Sequence, residues 1–215
     1  MTAPASALDL ASLLCSRLCH DMLSPVGALS NGLELLVEEK DPEMRQRCFE
    51  LLEQSAKASA DKLKFFRLAF GAAGGFGDSV PVNEARALID ALAGSNGRVA
   101  VNWMFGVDAL AKPAVKTLLN LALIGLDALV RGGTLDIGAE VNGGAIEIVV
   151  RAAGQRVAFD PAVGQALEGT LPMSELSSKT APAAMVQQLA ASVGGGVQVH
   201  VTAESLVMGA VLPAA

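Results

Sequence analysis

Tyrosine is absent from this sequence, tryptophan occurs once, and aromatic side chains make up 4% of its 215 residues. The apolar content is nevertheless high, at 52% with a mean hydropathy of +0.44, and much of it is alanine and aliphatic side chains. Long uninterrupted apolar runs are missing too. The longest stretch, TLLNLALIGLDALV, contains Asn120 and Asp127 and is too short for a bilayer, which argues against a membrane-spanning chain. The N-terminal MTAPASALDLASLLC has no basic residue and carries Asp9, so it does not read as a secretory signal. Cysteine is scarce. Cys15, Cys19 and Cys48 are odd in number and lack a disulfide-framework spacing, which leads us to expect a reducing, cytoplasmic setting. Positive charge is in deficit, with 16 Lys and Arg against 22 Asp and Glu, and the net charge of −6 argues against a nucleic-acid-binding surface.

What is present is helical periodicity. From about Ser6 to Glu39, Leu14, Leu18, Met22, Val26, Leu29, Leu33 and Leu36 recur at intervals of three and four. The turn EEKDPEM follows, with Asp41 placed to cap a second helix and Pro42 at its first position. That helix carries Cys48, Leu51 or Leu52, Ser55, Ser59, Leu63, Phe66 and Phe70 on one face and stops at the glycine-rich GAAGGFG. One such hairpin leaves much of its apolar stripe wet, so the expectation is a homodimer that closes a four-helix bundle.

Beyond Gly77 the pattern changes. SVPV and RVAVNWMF read as strands around a helix NEARALIDALAG, and PAVKTLLNLALIGLDALVRGG reads as a longer helix. TLDIGAEV and AIEIVVRAA, joined by NGG, form a hairpin; TAPAAMVQQLAASVGGG is a helix with a glycine stop; VQVHVTA and SLVMGAVL close the chain as a second hairpin. The expected architecture is α+β: a helical hairpin over residues 1–72 and an α/β sandwich over residues 76–215, with helices on one face of a mixed sheet.

The stretch SRLCHDMLSPVGAL holds a histidine, an acid beside it and a proline five residues on. At about 100° per residue, His20 falls opposite the apolar stripe. Arg17 and Ser24, three and four residues away, share its face, and Gly27 and Asn31 continue that face and keep it shallow. Cys15 and Cys19 project toward the apolar side and read as small core residues. An exposed histidine can be a plain surface residue. Metal ligation through CSRLCH is disfavoured because both thiols face away from the ring. The third reading is a nucleophilic imidazole that accepts and passes on a phosphoryl group, which needs an exposed ring, a group to orient its N–H and a docking surface. Arg17 could pair with phosphoryl oxygens and Asp21 could orient the ring, although neighbours on a helix do not point the same way. Pro25 deletes a hydrogen bond to the Asp21 carbonyl, so the helix should bend or loosen beside His20, or merely curve.

HDMLSP resembles the phosphoacceptor box of dimerising histidine kinases, and the second half is similar to their ATP-binding sandwich. LLNLALIGLDAL resembles the kinase asparagine box, with Ile124 where an asparagine would hold Mg2+. VVRAAGQRV lies where an aspartate would read adenine, and that position holds Ala152. The glycine-rich lid is represented by Thr180, Ala181, Pro182 and Ala183. The replacements remove a Mg2+ ligand, an adenine acceptor and a backbone N–H from a phosphate-cradling loop. An intact phosphoacceptor beside a degenerate ATP domain resembles the ChpT family of histidine phosphotransferases from alphaproteobacteria, over nearly the whole chain.

That resemblance implies a relay from the receiver domain of a CckA-like hybrid kinase to CtrA-like and CpdR-like response regulators. His20 and Asp21 would be the catalytic pair, Arg17, Ser24, Gly27 and Asn31 the docking face, and Lys62, Lys64 and Arg67 a flanking positive patch. The second domain would serve for docking, no cofactor would be bound by this chain, and Mg2+ would come from the receiver. Two rivals are an active histidine kinase with an unorthodox nucleotide site and a non-catalytic module that binds a kinase through its bundle.

Overall fold

A computed structural model of the chain describes residues 7–71, 78–94 and 97–214. Helix α1 spans Ala7–Glu38 and helix α2 spans Pro42–Ala69, joined by a tight turn. Asp41 caps α2 as its sequence position suggested: its carboxylate accepts the backbone N–H groups of Glu43 and Met44, and Pro42 begins the helix. Arg45 secures the turn by donating to the carbonyls of Leu36 and Glu39. Ser6, where the first helix was expected to begin, and residues 72–77 of the glycine-rich GAAGGFG stop lie outside the described residues.

The second half is built on a five-stranded sheet. Strands β2 (Val99–Phe105), β4 (Gly133–Asn142), β5 (Ala145–Ala153), β6 (Gly196–Val201) and β7 (Ser205–Pro213) lie in the order β2-β4-β5-β7-β6. β2 runs parallel to β4 and the other pairs are antiparallel. The β4–β5 hairpin turns through Gly143 (φ 58°) and Gly144 (φ 81°), the two positive angles that a right-twisted two-residue turn requires. Two short strands, β1 (Ser79–Pro81) and β3 (Ala109–Ala111), pair apart from this sheet. Helices α3 (Val82–Gly94), α4 (Lys112–Ala128), α5 (Pro161–Glu168) and α6 (Ala181–Ser192) complete the fold.

Alternation places the sheet's apolar set on one face. Ile146, Ile148, Val150 and Ala152 of β5 and Leu206, Met208, Ala210 and Leu212 of β7 are buried, while their neighbours Val149, Arg151 and Val211 are exposed. Helix α4 packs against β5 and also against α2 and α6. Being covered from several sides, it is buried without interruption from Leu118 to Gly125, which accounts for an apolar run too continuous for an amphipathic helix. β3 and α5 were not anticipated. α5 carries plain punctuation, with Asp160 capping it, Pro161 at its start and Gly169 left-handed after its end.

The hairpin does not stand apart from the sandwich. Phe65, Phe66, Leu68 and Ala69 at the end of α2 belong to the same buried cluster as α4 and the sheet. Nearer its own start, α1 buries Leu10 and Leu14 against Ala181, Ala184 and Met185 of α6. Phe66, 2% exposed, is thus a core residue within one chain rather than a contact reserved for a second copy. Of the apolar stripe expected to face a partner, Leu14 is buried, Leu18, Met22, Leu29 and Leu36 are half-buried, and Val26 and Leu33 are 49% and 56% exposed.

Candidate functional site

His20 sits midway along α1 with 81% of its side chain exposed, and its Nδ1 lies 3.1 Å from Asp21 Oδ1. Adjacent helical residues can therefore meet here. A carboxylate only accepts, so in the neutral ring this contact favours a proton on Nδ1 and leaves Nε2 with its lone pair on a largely exposed side chain. Asp21 is itself held. Its Oδ2 accepts from Arg17 Nε at 2.8 Å, one helical turn back, and only 17% of its side chain is exposed.

Arg17 departs from expectation. It is 8% exposed, and its Nη2 donates to both carboxylate oxygens of Asp127 on α4, at 2.7 and 3.0 Å. A guanidinium already engaged by two carboxylates and covered by protein is not part of an open docking face and is not free to receive a phosphoryl group. It joins the acid beside His20 to the second half of the chain. Burial opposes the Arg17 charge, but Asp127 and Asp21 outweigh it and push the guanidinium above its ordinary value. At Asp127 burial acts the other way and raises the carboxyl, with Arg17 pulling it down. The short contacts and a carboxylate still 45% exposed favour the ionised pair.

Pro25 has a structural counterpart across the hairpin. α1 continues through Pro25, and the Asp21 carbonyl that its missing N–H would have satisfied accepts instead from Lys62 Nζ of α2, at 2.8 Å. Asp21 is thereby fixed at its carboxylate by Arg17 and at its carbonyl by Lys62. This also removes Lys62 from the outward positive patch: Lys64 lies 3.7 Å from Asp61, and Arg67 is exposed in the last turn of α2.

Ser24 and Asn31 are exposed, Gly27 is half-buried, and a methyl group added at Gly27 would meet nothing within 4 Å. Ser24 and Asn31 leave open surface on α1 beyond His20. Ser24 and Lys62 also line a groove of about 630 Å3 where α1 and α2 meet α3. Cys15 and Cys19 are exposed in the single chain, not core residues as expected, because the side of α1 that carries them is uncovered; Cys48 is buried. Among the described residues no group of three or more His, Cys, Asp or Glu side chains is placed to hold a metal ion.

The three positions expected to depart from a nucleotide site are buried. Ile124 is 5% exposed and Ala152 fully buried between β4 and β7. Where a lid was expected, Thr180 caps α6 and Ala181, Pro182 and Ala183 form its first turn, all four buried. The sequence profile of the histidine phosphotransferase C-terminal domain matches residues 82–205. A curated relative, protein phosphotransferase ChpT of Brucella abortus (strain 2308), is 35% identical over 205 residues, 95% of this chain and 96% of the relative.

This chain belongs to the ChpT family of histidine phosphotransferases.

A solved structure of a bacterial phosphotransferase agrees, with a TM-score of 0.84 at 33% identity over 98% of this chain and 99% of that one. The catalytic domain of histidine kinase ThkA aligns more loosely, with a TM-score of 0.49 at 12% identity over 63% of this chain and 95% of that one. As a ChpT-family member the chain acts in histidine phosphotransfer within a phosphorelay, among the partners of two-component systems. Two residues that hold Asp21 in this ChpT-family chain, Lys62 directly and Asp127 through Arg17, were not assigned that task from sequence. Asp127 was visible as a charge inside an apolar run, which calls for a buried partner, but that partner lies 110 positions away. Lys62 was noted only for its charge. The proline that frees a carbonyl is the signal that could have pointed to it.

Proposed function

We propose that His20 is the phosphoacceptor of this phosphotransferase, and that it relays a phosphoryl group between receiver-domain aspartates. The observation that carries the reading is an exposed imidazole whose Nδ1 lies 3.1 Å from a fixed carboxylate, an arrangement that favours the proton on Nδ1 and leaves Nε2 free to act. In the forward step the Nε2 lone pair attacks phosphorus of an aspartyl phosphate in line. The N–P bond forms as the P–O bond to the donor carboxylate breaks, and that carboxylate keeps the electron pair. The ring gains positive charge and retains its Nδ1 proton, which stays hydrogen-bonded to the Asp21 carboxylate. In the second step a carboxylate oxygen of the acceptor receiver attacks phosphorus, the N–P bond breaks and its electron pair returns to Nε2. No proton needs to leave the site, and both the acyl phosphate and the phosphoramidate are high in energy, so transfer runs either way.

Most stabilisation of the loose transition state, with Mg2+, is assigned to the receiver. This chain supplies the nucleophile and its orientation. Ser24, Gly27 and Asn31 are the proposed docking face; Arg17 is withdrawn from it. The donor is a receiver of a CckA-like hybrid kinase and the acceptors are CtrA-like and CpdR-like regulators. The working unit is a homodimer in the cytoplasm, joined through the side of α1 on which Val26 and Leu33 are exposed. ATP is not used: Ile124, Ala152 and Pro182 offer neither ligand nor acceptor to a nucleotide, and their buried positions support that reading.

The test is transfer of labelled phosphate from a phosphorylated receiver domain to the wild type and to His20→Ala. Loss of label from a folded mutant is expected, because truncating so exposed a side chain removes little packing. Continued labelling of His20→Ala would put the nucleophile elsewhere.

A further inference from the structure

We infer that Asp127 and Arg17 are positioning residues for the imidazole, so that the second domain takes part in the chemistry at His20 through a side chain and not only as a docking surface. The inference rests on the reading of His20 as phosphoacceptor. Its basis is a continuous line of contacts: His20 Nδ1 to Asp21 Oδ1 at 3.1 Å, Asp21 Oδ2 to Arg17 Nε at 2.8 Å, and Arg17 Nη2 to Asp127 at 2.7 and 3.0 Å. Each link removes a freedom the next one needs removed. A carboxylate touched only by an exposed ring can rotate; Arg17 takes one oxygen and leaves the other toward His20. Arg17 is long and flexible, and would not hold a fixed direction alone. Asp127 takes its outer nitrogen from a helix packed into the core, with Ile124 and Ala128 buried to either side.

A purely structural role would be an uneconomical use of these groups. Burying a guanidinium carries a desolvation cost that an apolar residue of similar size would avoid. Leu10 and Leu14, buried on the same helix, already dock α1 on α6. The distinctive product of the Arg17–Asp127 pair is the direction of the Asp21 carboxylate, and through it the choice of which ring nitrogen carries the proton.

The chain contains only two histidines, and His200 on β6 is exposed and distant in sequence, so nitrogen NMR of the uncomplexed full-length protein reports His20 against an internal reference. In the wild type the Nδ1-protonated form of His20 should dominate. In Asp127→Ala it should give way to a mixture of both neutral forms while His200 is unchanged, and Asp127→Glu should restore it. The rate of phosphorylation by phosphoramidate, a donor too small to need docking, should fall about tenfold in Asp127→Ala, the order of one orienting hydrogen bond. If Asp127→Ala does not fold, Arg17→Lys carries the same test, since one ammonium cannot reproduce the bridge between two carboxylates. A folded variant with an unchanged proton position on His20 overturns the inference, whether or not its rate falls, because Asp127 would then act by another route. A changed proton position with an unchanged rate overturns it as well. If the wild type accepts no phosphate from any donor, the phosphoacceptor reading fails on its own, while the NMR comparison still decides whether Asp127 orients the ring.

Discussion

Lys62 and Pro25 form a pair that neither residue explains alone. The proline leaves the Asp21 carbonyl without its helical donor, and Lys62 provides one from the facing helix. A double-mutant cycle separates this from general packing. Lys62→Met should destabilise the wild type by about 1 kcal/mol, since an intramolecular hydrogen bond is worth roughly that much. In a Pro25→Ala background, where residue 25 regains its N–H, the same change should cost clearly less. Equal costs in both backgrounds, measured by denaturant unfolding, would mean that Lys62 does not serve the proline gap. At Gly27 the open space around an added methyl makes Gly27→Trp tolerable to the fold. It should block transfer from a receiver domain while leaving phosphorylation by phosphoramidate unchanged, and equal receiver rates in the two proteins would place docking elsewhere.

Among the elements, α1 has two faces with different partners. The face with Leu10, Leu14, Arg17, Pro25 and Gly32 is buried within the chain, whereas Val26 and Leu33 lie on the uncovered side. Leu33→Asp should therefore yield folded monomers by light scattering, since its charge would meet solvent in one chain and an apolar surface in a bundle. Phe66→Asp should unfold the chain, because that site is already enclosed. Helix α5 offers a pH test. Lys179 at 2.9 Å, then the Ala162 N–H, hold the Asp160 carboxyl below its ordinary value. A depressed folded value means that the cap stabilises above the ordinary carboxylate range and is lost as pH falls through the lowered value. Asp160→Ala should cost about 1 kcal/mol near neutrality, and its melting temperature should converge on that of the wild type in acid. The strands and long helices were legible because their periods are local. The three-residue β3 was not, and which side of α1 meets α6 depends on residues more than a hundred positions away.

For the whole molecule, the sequence suggested a phosphoacceptor box at His20 and departures from a nucleotide site at Ile124, Ala152 and Pro182, all matters of residue type and spacing. It placed Arg17 on an open face, because a helix projection shows which residues share a side but not what packs there. Asp127 reverses that assignment, and a contact across 110 positions has no local signature. The nucleotide reading belongs to this scale too: calorimetry at millimolar ATP, with or without Mg2+, should show no saturable binding, and micromolar affinity would restore the kinase alternative. The central claim is relay through His20 without nucleotide. It is tested most directly by mixing a labelled, phosphorylated receiver domain with this chain and a second receiver, in the absence of ATP, and locating the label over time. The account predicts label on His20 alone within this chain, rising and then falling as the second receiver is charged. Label reaching the second receiver without passing through His20, or no transfer at all, would contradict it.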